Sequence, residues 1–166
     1  MAVRLENVPK REYTARTIQR MYELADKAKK DIKIIDLATK IVRGCPHKDY
    51  ACQAERIFRA TKKCIHYLRD PIGVELVQDF WATAIRRAGD CDDQAVWIAS
   101  LALSLGFPVR FKTISANHQR PDEWSHVYPV ILIPEVGWMA ADATVADSTF
   151  GWEPQGFKSK VWEPKR

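Results

Sequence analysis

Ile18, Met21, Tyr22, Ala25 and Ala28 recur at intervals of three, one, three and three residues, the stripe of an amphipathic helix. Ile34, Ile35, Ala38, Ile41 and Val42 predict a second, shorter helix, which Gly44-Cys45-Pro46 ends. Asp49 is placed to cap a third, with the stripe Ala54, Ile57, Phe58, Thr61, Ile65 and Leu68. Asp70-Pro71-Ile72-Gly73 reads as a turn, and residues 74–88 mix the two periods.

The pattern changes after Gly89-Asp90-Cys91. A helix starting at Asp92 or Asp93 and running to Leu105 is apolar nearly all round, which predicts a helix buried in a core. Gly106 and Pro108 are its stop signals. Val109, Phe111 and Thr113 alternate with Arg110 and Lys112, so a strand follows directly. A polar loop over 115–124 leads to two further strands, 126–133 and 138–143, around Pro134-Glu135-Val136-Gly137. Helices first, then a buried helix, then strands make an α+β fold.

With 166 residues the chain has the length of one domain with one core. We expect an arm over 1–12, a single domain over 13–146 and, from Asp147, a tail in which Trp-Glu-Pro occurs twice. The tail has too few spaced apolar residues for a core of its own, and its Trp152, Phe157 and Trp162 predict packing on the domain surface or on a partner. The net charge of +5 is spread thinly, and Lys27, Lys29, Lys30 and Lys33 read as a solvated helix face, so no nucleic-acid partner is expected. No apolar run approaches the length of a membrane span, and Met-Ala-Val-Arg-Leu-Glu-Asn has no apolar signal core. The expected setting is cytoplasmic, with no membrane partner. Four cysteines in such a setting argue against a disulfide framework. Cys45, His47, Cys52, Cys64 and His66 match no zinc-finger spacing, and no metal or cofactor is expected.

The chemistry-bearing residues lie in the second half. Cys91 precedes an apolar helix, where the positive end of the helix dipole favours thiolate, while Asp90, Asp92 and Asp93 oppose it. His126 opens a strand and is the residue type that serves as base to a cysteine nucleophile. Asp142 stands in the otherwise apolar Met139-Ala140-Ala141-Asp142-Ala143, a costly position unless it is paired. A histidine N–H on the neighbouring strand would pair it and fix the ring. Each of the three explains the other two.

Four blocks carry a resemblance: Gly89-Asp90-Cys91-Asp92-Asp93-Gln94-Ala95, Leu105-Gly106-Phe107-Pro108-Val109-Arg110-Phe111, Ser125-His126-Val127-Tyr128 and Gly137-Trp138-Met139-Ala140-Ala141-Asp142-Ala143-Thr144. Together with Asp70 to Gln78 they resemble the transglutaminase-like superfamily in its bacterial and phage-type branch. The resemblance implies a papain-like α+β core, in which the cysteine starts a helix packed on a small antiparallel sheet carrying the histidine and aspartate. It implies acyl transfer through a thioester, to an amine or to water, on a protein or peptide. The Cys91 N–H is expected in the oxyanion hole, with Gln78 or Trp81 as the second donor. Phage structural proteins reached through the tail are candidate partners, with a virion setting as the variant location. The alternative is a non-catalytic virion or assembly protein that uses the same fold for binding.

Two geometric expectations follow. In an antiparallel pair, opposed residue numbers have a constant sum. A two-residue turn at Glu135-Val136 pairs 134 with 137, sum 271, and puts His126 and Asp142 on opposite faces. A three-residue loop gives an even sum, 268 or 270, and puts them on one face; a three- or five-residue loop or a bulge is therefore predicted. If Cys91 pairs with His126, a thiolate–imidazolium form is expected near neutral pH.

Overall fold

The computed structural model of the chain describes the backbone of residues 3–4, 10–71 and 76–164, with side chains from Tyr13 onward. Its elements run β1 (Val3–Arg4), α1 (Lys10–Ala28), α2 (Ile32–Val42), α3 (Tyr50–Cys64), β2 (His66–Tyr67), β3 (Leu76–Val77), α4 (Phe80–Arg86), β4 (Ala88–Gly89), α5 (Cys91–Ser104), β5 (Val109–Ser115), β6 (His126–Ile133), β7 (Gly137–Ala140) and β8 (Lys158–Trp162). Among the described residues, no helix is long and apolar enough to cross a membrane.

The three predicted N-terminal helices form, and their stripes face inward. Ile18, Met21 and Ala25 of α1, Ile34 and Ala38 of α2, and Ala54, Ile57 and Phe58 of α3 are all buried. Asp49 caps α3 by accepting the Cys52 N–H at 2.9 Å. The stripe ran on to Leu68, but α3 stops at Cys64, where Ile65 turns extended and stays buried while Leu68 is exposed. The chain then forms β2, which pairs in parallel with β4, Tyr67 opposite Gly89. Within the mixed stretch 74–88 lies the short α4, capped by Asp79. Ile72 and Gly73 of the predicted turn, and residues 74–75 of the mixed stretch, lie outside the described residues.

α5 is the centre of the molecule. Packed on by α1, α2, α3 and α4 on one side and by β6 on the other, it buries Ala95 to Ala102 without a break. Trp97 stacks on Phe80 of α4, ring centres 5.4 Å apart. The helix begins earlier than expected. Asp90 is the cap, accepting the Asp93 N–H in a capping box, and Cys91 is the first helical residue.

The main sheet is antiparallel in the order β7-β6-β5-β8. β8 comes from the segment read as a tail. Phe111 faces Trp162, and the Tyr22 hydroxyl donates to the Trp162 carbonyl at 2.6 Å while accepting the Phe111 N–H. Residues 158–162 are thus part of the sheet. The three residues Lys158-Ser159-Lys160 before Val161 and Trp162 are too polar to announce a strand.

One expectation is overturned outright. Cys45 and Cys52 form a disulfide. Gly44, at φ +92°, turns the chain after α2 so that Cys45 meets the first turn of α3, a left-handed conformation open to glycine. The pair cannot then serve as thiolate metal ligands, and Cys64 and Cys91 are the free cysteines.

Candidate active site

The start of α5 sets the geometry. The Asp93 carboxylate accepts the Gln78 backbone N–H at 2.6 Å through Oδ1 and the Gln78 side-chain amide through Oδ2. It is fully buried, and burial pushes its carboxyl up to about 6, the Gln78 backbone hydrogen bond working the other way and Asp90 adding to the rise. Gly89 lies against it. A Cβ there would meet Asp93 Cβ at 2.5 Å, so only glycine lets the chain pass into Asp90 and Cys91. Cys91 is thereby held at the wall of a cavity of about 330 Å³, half-buried, with Tyr67, Arg69, Trp124, His126 and Val127 around it.

Opposite, β6 and β7 are joined by a three-residue loop. Ile133 faces Gly137 and Val130 faces Ala140, so opposed numbers sum to 270 and His126 and Asp142 share a face. His126 Nε2 lies 2.7 Å from Asp142 Oδ2. Asp142 is buried, and its Oδ1 accepts the Thr144 N–H at 3.1 Å and the Thr144 hydroxyl at 2.6 Å. Burial alone would raise its carboxyl, but the His126 bond and charge and the two Thr144 bonds together hold it below the usual carboxylate range. An ionised Asp142 can only accept, so Nε2 carries the proton and Nδ1 is left as the basic nitrogen.

The residue after His126 closes the arrangement. The Val127 N–H is directed at the Cys91 sulfur, as is the Asp92 N–H. These donors favour thiolate, yet burial comes first, and with the nearby Asp92 and Asp90 it pushes the thiol well above its ordinary value. The expected resting thiolate–imidazolium pair therefore meets opposing electrostatics. The helix dipole is outweighed first by burial and then by Asp92 and Asp90, the actual cap, which flank the sulfur instead of pointing away. Asp90, Cys91 and Asp92 are also, among the described residues, the set of donor atoms near enough to share a cation, all within 4.8 Å of one another.

Cys91, His126 and Asp142 are thus brought together, and Gln78 and Trp81 are not. The Gln78 amide is spent on Asp93 and the Ala88 carbonyl, and its Oε1 accepts from Arg86. Trp81 is on α4, its indole N–H donating to Asp31 at 2.9 Å on another face of the molecule. The side chain that the sequence did not single out is Tyr67. Its half-exposed phenol lines the cavity, and its hydroxyl is raised first by partial burial and then by the Cys91 charge, while a hydrogen bond from Arg69 pulls the other way. Nothing local marks it, because its position depends on the β2–β4 pairing between segments some twenty residues apart.

A cysteine opening the central helix, with a histidine on the facing antiparallel sheet paired to an aspartate just beyond its edge strand β7, fits the papain-like class of α+β folds. Within it, the transglutaminase-like superfamily model matches residues 35–143, well over half the chain, and the chain belongs to that superfamily. The fold is one that typically carries cysteine-based hydrolases and transferases. No curated protein matches the sequence significantly. Among solved structures, the chain is similar to a candidate cysteine protease from Cytophaga hutchinsonii (TM-score 0.53, 20% identity, 78% of this chain and 46% of that one). It is also similar to a candidate protease from Parabacteroides distasonis (TM-score 0.56, 10% identity, 78% of this chain and 26% of that one). The chain thus spans about half of the first protein and about a quarter of the second.

Proposed function

We propose that the protein transfers acyl groups from an amide of a protein or peptide through a thioester on Cys91. The observation that carries this reading is the His126–Asp142 bond through Nε2, with the neighbouring Val127 N–H aimed at the Cys91 sulfur. It leaves Nδ1 as the base on the cavity side. The thiol rests protonated. As Sγ attacks the carbonyl carbon, Nδ1 takes the thiol proton, Asp142 stabilises the imidazolium, and the carbonyl oxygen gathers the charge. In this reading the Cys91 N–H and the hydroxyl of Tyr67, which lines the same cavity and is hydrogen-bonded by Arg69, donate to that oxygen. Collapse breaks the C–N bond and the amine leaves with the proton from Nδ1. Water or a second amine, deprotonated by the same nitrogen, then attacks the thioester and frees Cys91. Water makes the reaction proteolysis or deamidation, and an amine makes it crosslinking.

One observation favours the alternative, a binding module that keeps the fold without chemistry: the surroundings of Cys91 disfavour its ionised form. Acyl-enzyme trapping separates the two. The protein is incubated with glutamine-containing peptides and peptide esters, quenched in acid and weighed intact. The enzyme reading expects an adduct of acyl mass on Cys91, absent in Cys91→Ala, and glycine methyl ester in the mixture reports whether an amine competes with water. No adduct on Cys91 from any peptide or ester would leave the binding module.

A further inference from the structure

The loop that follows Asp142 closes around a single ammonium group. Lys62, in the last turn of α3, donates to the carbonyls of Val145 at 2.8 Å, Ala146 at 2.7 Å and Ser148 at 2.8 Å, and lies 3.1 Å from the Ser148 hydroxyl. All four acceptors are uncharged oxygens. The stem passes the Phe58 ring, with Nζ 5.4 Å from its centre. A lysine on a surface helix usually pairs with a carboxylate or with water. Here it does what a bound cation does in an oxygen cage, drawing together carbonyl dipoles that would otherwise repel one another.

What the cage holds is the candidate aspartate. Buried Ser148 donates its hydroxyl proton to the Asp142 carbonyl at 2.7 Å or to the Val145 carbonyl at 2.8 Å, and its N–H bonds the Val145 carbonyl. Thr144, at the start of the same loop, holds Asp142 Oδ1. Asp142 lies beyond the last paired residue of β7, Ala140; the Ala141 N–H still bonds the Pro129 carbonyl at 2.9 Å, so the sheet carries the chain up to Asp142, while the loop holds its carbonyl and carboxylate. That loop is organised from α3.

We propose that Lys62 is a positioning residue: its ammonium is the internal cation that folds residues 144–148 so that Asp142 Oδ2 faces His126 Nε2. This rests on the reading of Asp142 as the partner of His126. Removing the ammonium leaves three carbonyls and a hydroxyl converging on nothing. The loop then opens, Asp142 swings, and the imidazole loses the bond that sets its tautomer. A displacement of that order costs about 10²-fold in acyl transfer.

The cage itself supplies the test. Lys62→Ala leaves an all-oxygen pocket sized for an alkylammonium head. The His126 tautomer is read by long-range proton–nitrogen NMR in the parent, in Lys62→Ala, and in Lys62→Ala with propylammonium or with tetramethylammonium. Propylammonium has the missing charge and donors, while tetramethylammonium has the charge without the N–H groups. The expected result is an Nε2–H tautomer in the parent, a mixture in the variant, recovery with propylammonium and none with tetramethylammonium. A folded Lys62→Ala whose His126 keeps the parent tautomer overturns the proposal. So does equal recovery with both ions, which would reduce the effect to charge. Should Lys62→Ala not fold, Lys62→Met keeps the stem on Phe58 and takes its place, and if that also unfolds even with propylammonium, Lys62 serves the whole fold and the proposal falls. Because the readout is a tautomer, it stays separate from the acyl-enzyme test: a parent that never acylates refutes the function while leaving the Lys62 result legible.

Discussion

Asp93 is a fully buried carboxylate whose cost the structure allows to be worked out. Its carboxyl sits at about 6 in the folded protein against an ordinary 3.8. A difference of that size corresponds to roughly 3 kcal/mol between the protonated and ionised forms, an order-of-magnitude figure. The folded state binds this proton more tightly than the unfolded chain. Asp93 therefore favours folding fully below about pH 3.8, and that contribution is lost as pH rises through about 6. Asp142 acts with the opposite sign and in a lower window. Its carboxyl is held below the usual range, so its contribution is present above the unfolded value and is lost as pH falls through the folded one. Asp93→Asn keeps an oxygen for the Gln78 N–H and removes the titration. Urea unfolding of both proteins, followed by tryptophan fluorescence from pH 4 to pH 8, gives the difference in stability at each pH. The parent should lose on the order of 2–3 kcal/mol relative to the variant between pH 4 and pH 7. A difference curve that is flat, or that rises with pH, would refute the linkage between Asp93 burial and the start of α5.

Tyr67→Phe removes the phenolic donor from a half-exposed position, so acyl transfer should fall about 10²-fold with the melting temperature unchanged; an unaltered rate would take Tyr67 out of the oxyanion hole. Gly89→Ala drives a methyl group into Asp93 and should cost about 1–3 kcal/mol by thermal melting, with slower Cys91 labelling in the protein that remains folded; parent-like stability would mean that the close approach is relaxed without strain. Thiol titration of the denatured, unreduced protein should find the two free cysteines Cys64 and Cys91, and reduction should lower stability by about 2 kcal/mol for so short a loop; four reactive thiols before reduction would remove the Cys45–Cys52 bond.

The features legible in the sequence are those fixed by local periodicity. The run from Ala95 to Leu105, apolar nearly all round, implied a buried helix, and the single-face requirement for His126 and Asp142 correctly implied an odd loop. Both follow from chain geometry over a dozen residues or so. What was hidden depends on contacts between distant segments. Tyr67 reaches the cavity because β2 pairs with β4, and Lys62 reaches the Asp142 loop across more than eighty residues. β8 is recruited as an edge strand although its own sequence is polar, because Tyr22 and β5 offer it partners. The cap at α5 was misplaced by two or three residues since Asp90, Asp92 and Asp93 are equally good caps by residue type, and only the Gln78–Asp93 bonds distinguish them. That small error carried the largest chemical consequence. With Asp90 as cap, Cys91 enters the first turn between two carboxylates, which add to the burial that already disfavours ionisation of the thiol.

The central claim is that His126 activates Cys91, and the pH dependence of Cys91 alkylation tests it most directly. The second-order rate with chloroacetamide is measured at Cys91 by peptide mass mapping, with Cys64 in the same sample as the internal reference, in the parent and in His126→Ala. The account predicts that the parent shows a limb of reactivity at a pH below ionisation of the thiol itself, from proton transfer to the imidazole, and that His126→Ala abolishes this limb and leaves only the alkaline rise of a buried thiol. A Cys91 whose rate profile is the same in both proteins would contradict the account.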